Sequence, residues 1–162
     1  MNKQSWLLAT TAAAMLALAG CATTPTPTTI ADTAARTPQL STFNQLIIDA
    51  GLADSLRAGG PYTVFAPSDE AFKALPERTL ADLKQNKEQL KAVVNYHVLP
   101  AKMMAGDVTN TNAKTVQGAN VALARAGSFV TVEDAVVTQP DMAATNGVVH
   151  VIDRVLVPPK KH

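Results

Sequence analysis

Tyr62-Thr63-Val64-Phe65-Ala66-Pro67-Ser68-Asp69-Glu70-Ala71-Phe72 decides how this chain is read. Gly59-Gly60-Pro61 sets a turn before it, and Thr63, Val64 and Phe65 favour an extended, half-buried strand. Pro67 has no amide hydrogen, so the ladder is expected to end there. Ser68 then stands as a helix N-cap, with Asp69 and Glu70 where carboxylates meet the positive end of a helix dipole. Phe65 and Phe72, half of the 4 phenylalanines in the chain, fall on the core side. A nucleophilic serine is the competing reading, but the glycines of a G-x-S-x-G elbow are missing. The stretch therefore specifies strand, stop, cap and helix.

Working back toward the N-terminus, Leu40, Phe43, Leu46, Ile47 and Ala50 recur at helical spacing and form one apolar stripe, opened by Thr37-Pro38. Gly51 breaks this helix, and Leu52 to Arg57 predicts a second short one ended by Gly59-Gly60. Working forward, Thr79 is expected to cap a helix through Leu83, and Asn86 with Gln89 has the form of a capping box. The helix it starts runs through Leu90, Val93 and Val94, after which Tyr96-His97-Val98-Leu99 turns extended and Pro100 stops it. From there the period becomes alternating. Residues 115–118, 120–124, 129–133 and 135–138 predict short strands, and Asn146-Gly147 is a turn before a dense apolar strand over Val148 to Val157. Helices first and strands second predict an α+β domain.

The 162 residues carry a formal charge of +1, with 14 Lys and Arg against 13 Asp and Glu. No basic surplus exists to grip a nucleic acid. Residues 1–20 read as an export signal: Lys3, then an apolar run from Trp6 to Ala19, shorter than the ~20 residues of a membrane-spanning helix. Residues 21–37 read as a Thr/Pro-rich tether. In an extended conformation of about 3.1 Å per residue it would hold the domain some 50 Å from a surface. Residues 38–159 form the folded domain, and 160–162 a short tail. Cys21 is the 1 cysteine of the chain, so no internal disulfide can form.

Leu18-Ala19-Gly20-Cys21 resembles the lipobox of bacterial lipoproteins. The resemblance implies cleavage before Cys21, lipidation of its sulfur and an N-terminal lipid as the membrane contact, with two or three acyl chains giving a stable anchor. Ala22 after the cysteine resembles lipoproteins sent to the outer membrane. That places the domain in the periplasm or at the cell surface.

Three segments taken in order resemble the fasciclin domain. They are Thr63 to Phe72, containing Phe65, Pro67, Ser68 and Asp69; Asn95-Tyr96-His97-Val98-Leu99-Pro100; and Asn146-Gly147-Val148-Val149-His150-Val151-Ile152-Asp153-Arg154-Val155-Leu156. The resemblance implies a β-wedge or sandwich of about seven strands flanked by several short helices. It also implies a binding module without a shared catalytic centre. Family members have contacts assigned near the Tyr-His segment and at an Asp-Ile dipeptide; the matching positions here are Tyr96, His97, Asp141 and Met142, the last departing from isoleucine.

His97 and His150 lie in apolar patterns that suit buried, hydrogen-bonded imidazoles. Metal spacing of the His-x-x-x-His kind is absent, and Met103, Met104 and Met142 suit gap-filling or adaptable contact rather than a copper site. A Ser68/His97/Asp153 relay is a matter of geometry. The expectation is therefore a non-enzymatic envelope module with no metal or cofactor. It would support adhesion through an unknown protein or polysaccharide partner; the alternative is a periplasmic lipoprotein that binds a small molecule or polysaccharide.

Overall fold

The computed structural model describes residues 28–159. Six α-helices, α1 (Ile30–Arg36), α2 (Ser41–Asp49), α3 (Ala53–Ala58), α4 (Asp69–Lys73), α5 (Glu77–Gln85) and α6 (Lys87–Tyr96), accompany seven strands. The strands are β1 (Tyr62–Pro67), β2 (Val98–Leu99), β3 (Thr111–Lys114), β4 (Asn120–Ala126), β5 (Phe129–Val132), β6 (Ala135–Ala144) and β7 (Gly147–Ile152). They form one sheet in the order β2-β1-β7-β6-β5-β4-β3. The α+β class and the seven strands are as the sequence implied.

The central pair is β1 and β7, which run parallel from Tyr62 opposite Gly147 to Pro67 opposite Ile152. Strand alternation sends their side chains to opposite faces. Val64, Ala66, Val149 and Val151 join a core with Leu40, Phe43, Leu46 and Ile47, on the side of the helices. Phe65 and Ile152 join Leu99, Val121, Leu123, Val130 and Val132 in a second core on the strand side. β6 connects the two halves: its first residues pair with β5, and the stretch from Val137 to Ala144 pairs with β7 across two register shifts. The sheet curls almost into a barrel, because the segment after β3 returns to the β2 edge, with Val116 N–H donating to Val98 O (2.8 Å) and Gln117 N–H to Asn95 O (3.3 Å).

Several sequence expectations are corrected. Residues 30–36, expected as part of an extended tether, are helix α1. Thr29 caps it through Asp32 N–H, and Ile30, Ala31, Thr33 and Ala34 are buried. The Thr/Pro composition upstream hid this short apolar stripe. Earlier tether residues lie outside the described residues, as do the export signal and Cys21. Helix α5 begins at Glu77 after Pro76, two residues ahead of Thr79. Tyr96 is the last helical residue of α6 and His97 its C-cap, so extended structure starts only at Val98. Residues 115–118 form a turn, closed by Thr115 N–H and Oγ1–H on Ala119 O, and the strand lies just before them at β3. The final strand stops at Ile152: Asp153 still holds Val136 through its N–H (3.1 Å) and its Oδ1 (2.8 Å), and beyond it Leu156 N–H turns away to His97 Nε2 (2.9 Å).

Asn146 and Gly147 bind the layers together. Asn146 Oδ1 accepts from Ile30 N–H (2.9 Å), and its amide group donates to Leu56 O and to Gly59 O (2.8 Å), joining α1 and the end of α3 to the β6–β7 turn. Gly147 has φ +154°, and a Cβ there would stand 1.8 Å from Tyr62 O, so no other residue permits the β1–β7 approach. If α1 belongs to the core as described, Ile30→Ala lowers the unfolding free energy by about 3 kcal/mol. Urea unfolding checks this; a loss well under about 1 kcal/mol would mean that α1 is a spacer after all.

Candidate functional site

The three sequence segments meet across the sheet. Phe65 N–H donates to His97 O (2.8 Å), Phe65 pairs with His150 in register, and His150 reaches Asp141 on β6. The Phe65 and His150 rings stack at 5.5 Å with 23° between planes.

Both histidines are neutral, and their neighbours set the tautomers. Leu156 N–H donates to His97 Nε2 (2.9 Å), so Nδ1 carries the proton and donates to Val93 O (2.7 Å). Burial lowers the His97 pKa to about 4, against a smaller upward pull from Val93 O. Asp141 N–H donates to His150 Nδ1 (3.0 Å), so Nε2–H donates to Met103 O (2.8 Å). Burial also lowers the His150 pKa, against upward pulls from Met103 O and the Asp141 carboxylate. His150 thus holds the bulged part of β6 and the loop at Met103. Thr63 assists: its hydroxyl donates to Ala101 O (2.6 Å) and accepts from Met103 N–H (2.7 Å). Asp141, at φ 58°, accepts from Ala105 N–H through Oδ1 (2.7 Å).

Ser68 Oγ accepts from Ala71 N–H (3.3 Å) at the start of α4. Asp69 does something the sequence did not reveal. Its carboxylate accepts from Ser41 Oγ–H (2.7 Å) and Thr42 N–H (2.9 Å), supplying the cap that α2 lacks from its own N-cap residue, Leu40. Burial alone would raise the Asp69 pKa, but the hydrogen bonds from Ser41 and Thr42, with Lys73 nearby, hold it below the usual value. Ser68, His97 and Asp153 form no relay. The serine caps a helix, both His97 nitrogens are engaged by backbone groups, and Asp153 holds Val136 N–H. Among the described residues no group of three or more His, Cys, Asp and Glu is placed to hold a metal ion.

Of the contact positions implied by resemblance, His97 is 1 % exposed and cannot be touched by a partner; that expectation is corrected to a supporting role. Met142 is half-buried against the helix-side core, leaving Asp141 exposed. The two pairs are not brought together: Val98, Val64, Val149 and Met142 lie in one cross-sheet row, so β2 and β6 are about 14 Å apart at strand spacing. Tyr96, 4 % exposed, is buried as well, but it forms part of the floor of a surface cleft. With Glu133, Asp134, Ala135 and residues 154–157 it bounds a half-open cleft of about 360 Å³. Its hydroxyl donates to Asn120 O (3.2 Å), and burial followed by the Glu133 charge raises its pKa. His97 supports the same cleft from behind by fixing Leu156. Sequence reasoning missed Glu133, Asp134 and Arg154 as cleft residues. Glu133 read as the end of a strand over 129–133 and Asp134 as the turn after it, but β5 ends at Val132; the positive φ of Glu133 (54°), which aims the turn, leaves no mark on the sequence.

The sequence matches the Fasciclin domain family over residues 38–158, and the chain belongs to that family. It is 38% identical over 140 residues to Protein sll1483 of Synechocystis, covering 85% of this chain and 78% of that protein. It is 33% identical over 135 residues to the cell surface glycolipoprotein MPB83 of Mycobacterium bovis, covering 80% of this chain and 60% of that one. A solved FAS1 domain pair from the insect cell adhesion molecule fasciclin I superposes with TM-score 0.60 at 25% identity, covering 73% of this chain and 45% of that chain.

The histidines predict a pH response. The folded-state pKa of His97, about 4, lies below its unfolded value of 6.5, so between those values the unfolded chain binds more protons. Stability is then full above about pH 6.5 and falls as pH drops toward 4, by on the order of 1 kcal/mol per pH unit. His150, shifted in the same direction, adds to the slope. Denaturant titrations across this range measure it. A flat profile in the wild type would contradict buried neutral imidazoles, and His97→Gln is expected to reduce the slope.

Proposed function

We propose that this protein is a lipid-anchored adhesion module of the cell envelope, without enzymatic activity, that uses the surface around the Tyr96 cleft to hold a protein or polysaccharide partner. Its family membership, alongside a cell adhesion molecule and a cell surface glycolipoprotein, is the observation that carries this reading. Two further points support it. Cys21 in its lipobox context supplies the anchor, and the motif histidines are engaged in holding backbone rather than free for chemistry. No helix among the described residues is long and apolar enough to cross a membrane. The cleft offers exposed Glu133, Asp134 and Arg154 beside Val157, which is 56% exposed, a mixture suited to a reversible, polar-rimmed contact.

The cleft volume also favours the second reading, a lipoprotein that binds a small molecule or polysaccharide, since about 360 Å³ falls at the lower end of ligand-sized cavities. The two are separated by one comparison in the native cell. Deleting the gene is expected to lower attachment to surfaces or neighbouring cells. Chromosomal Arg154→Glu, on an exposed side chain, is expected to lower it several-fold with the protein level unchanged. Undiminished attachment on every surface tried, with saturable calorimetric binding of a soluble glycan, would overturn adhesion in favour of the second reading.

A further inference from the structure

The chain leaves the folded domain at one end of the central strands, and the Tyr96 cleft lies at the other. Thr28 O accepts from Thr145 N–H (2.9 Å) and Ile30 N–H donates to Asn146 Oδ1 (2.9 Å), so the N-terminal segment is clamped beside the β6–β7 turn. The Gly59-Gly60-Pro61 turn and Lys102 lie at the same end, around a shallow cleft shared with Thr145, Asn146 and Gly147. β1 and β7 both start here, at Tyr62 and Gly147, and both run to Pro67 and Ile152. At the far end stand the Glu133-Asp134 turn ahead of β6 and the segment after Ile152, which are the walls of the Tyr96 cleft.

With α1 buried in the core, the spacer shrinks. From Cys21 to Thr28 is seven residue steps, at most about 25 Å whatever their conformation. A domain of this size is on the order of 35 Å across. Turning it over would carry Thr28 a full domain thickness from the lipid, beyond the reach of the chain. We infer that the end formed by the β6–β7 turn, the Gly59–Pro61 turn and Lys102 is a membrane-apposed face, and that the short tether holds the Tyr96 cleft pointing away from the lipid. The inference rests on the lipid-anchor reading of Cys21. Lys102, exposed on this face, suits the phosphates of lipid headgroups.

The test uses the full, acylated chain made in bacterial cells and reconstituted in vesicles of phosphatidylcholine and phosphatidylglycerol carrying a headgroup-linked energy acceptor. Thr145→Cys and Asp134→Cys, both on exposed side chains, take a donor dye, and the Cys21 sulfur is blocked by its thioether-linked diacylglyceryl group. Transfer from position 145 is expected to exceed that from 134 by about twofold or more, given the thickness of the domain. Inserting about ten Gly and Ser residues after Cys21 is expected to abolish the difference. Equal transfer from the two sites in acylated protein overturns the orientation alone. A difference that survives the insertion overturns tether length as its cause. Mass spectrometry showing an unacylated Cys21 overturns the anchor reading and the orientation with it.

Discussion

Everything in this fold depends on two backbones passing closer than side chains allow. Gly147 lies so near Tyr62 that a single Cβ would collide with its carbonyl oxygen, and from that point β7 and β1 run in parallel for six residue pairs. Parallel strands cannot be joined by a tight turn, so the chain between them must travel, and it does so as helices α4 to α6 and strands β2 to β6. Because β1 and β7 are covered on both faces, their residues are apolar almost throughout: Tyr62 is half-buried and every other residue from Thr63 to Pro67 and from Gly147 to Ile152 is buried. Among the polar residues buried inside, Thr63, His97 and His150 hold backbone at Ala101 and Met103, at Leu156, and at Asp141 and Met103.

This explains which parts of the structure could be read from the sequence. Strand β1, its stop at Pro67 and the Ser68 cap are local features, written by β-propensity, a missing amide hydrogen and a hydroxyl of the right reach. The stripe from Leu40 to Ala50 and the cap at Asn86 were legible for the same reason. What was not legible depends on residues distant in sequence. Asp69 caps α2, 27 residues away, and Asn146 reaches Ile30 across 116. Helix α1 is too short to persist on propensity and forms because Ile30, Ala31 and Ala34 find a core to enter. The dense run from Val148 to Val157 promised one long strand, but His97 captures Leu156 N–H and turns the chain aside.

The same division applies to the candidate site. The family-like motifs pointed to Tyr96, His97, Asp141 and Met142, and the structure gives them unequal parts. Tyr96 borders a cleft, Asp141 is exposed on a bulged strand, Met142 packs inward and His97 supports from within. The charged rim of the cleft, Glu133, Asp134 and Arg154, comes from a turn and from the end of a strand, which only the topology brings together. Motif residues here make the scaffold, and the turns around it make the exposed rim of the cleft.

The motif histidines act as neutral struts, and their bonds are expected to last as long as the fold itself. Native-state hydrogen exchange, followed by NMR at neutral pH, measures this most directly at three amides: Phe65, which donates to His97 O; Leu156, which donates to His97 Nε2; and Asp141, which donates to His150 Nδ1. All three are expected to exchange only with global unfolding, together with the amides of the β1–β7 ladder. Leu156 and Asp141 exchanging at the rates of open loops, while the ladder stays protected, would contradict it.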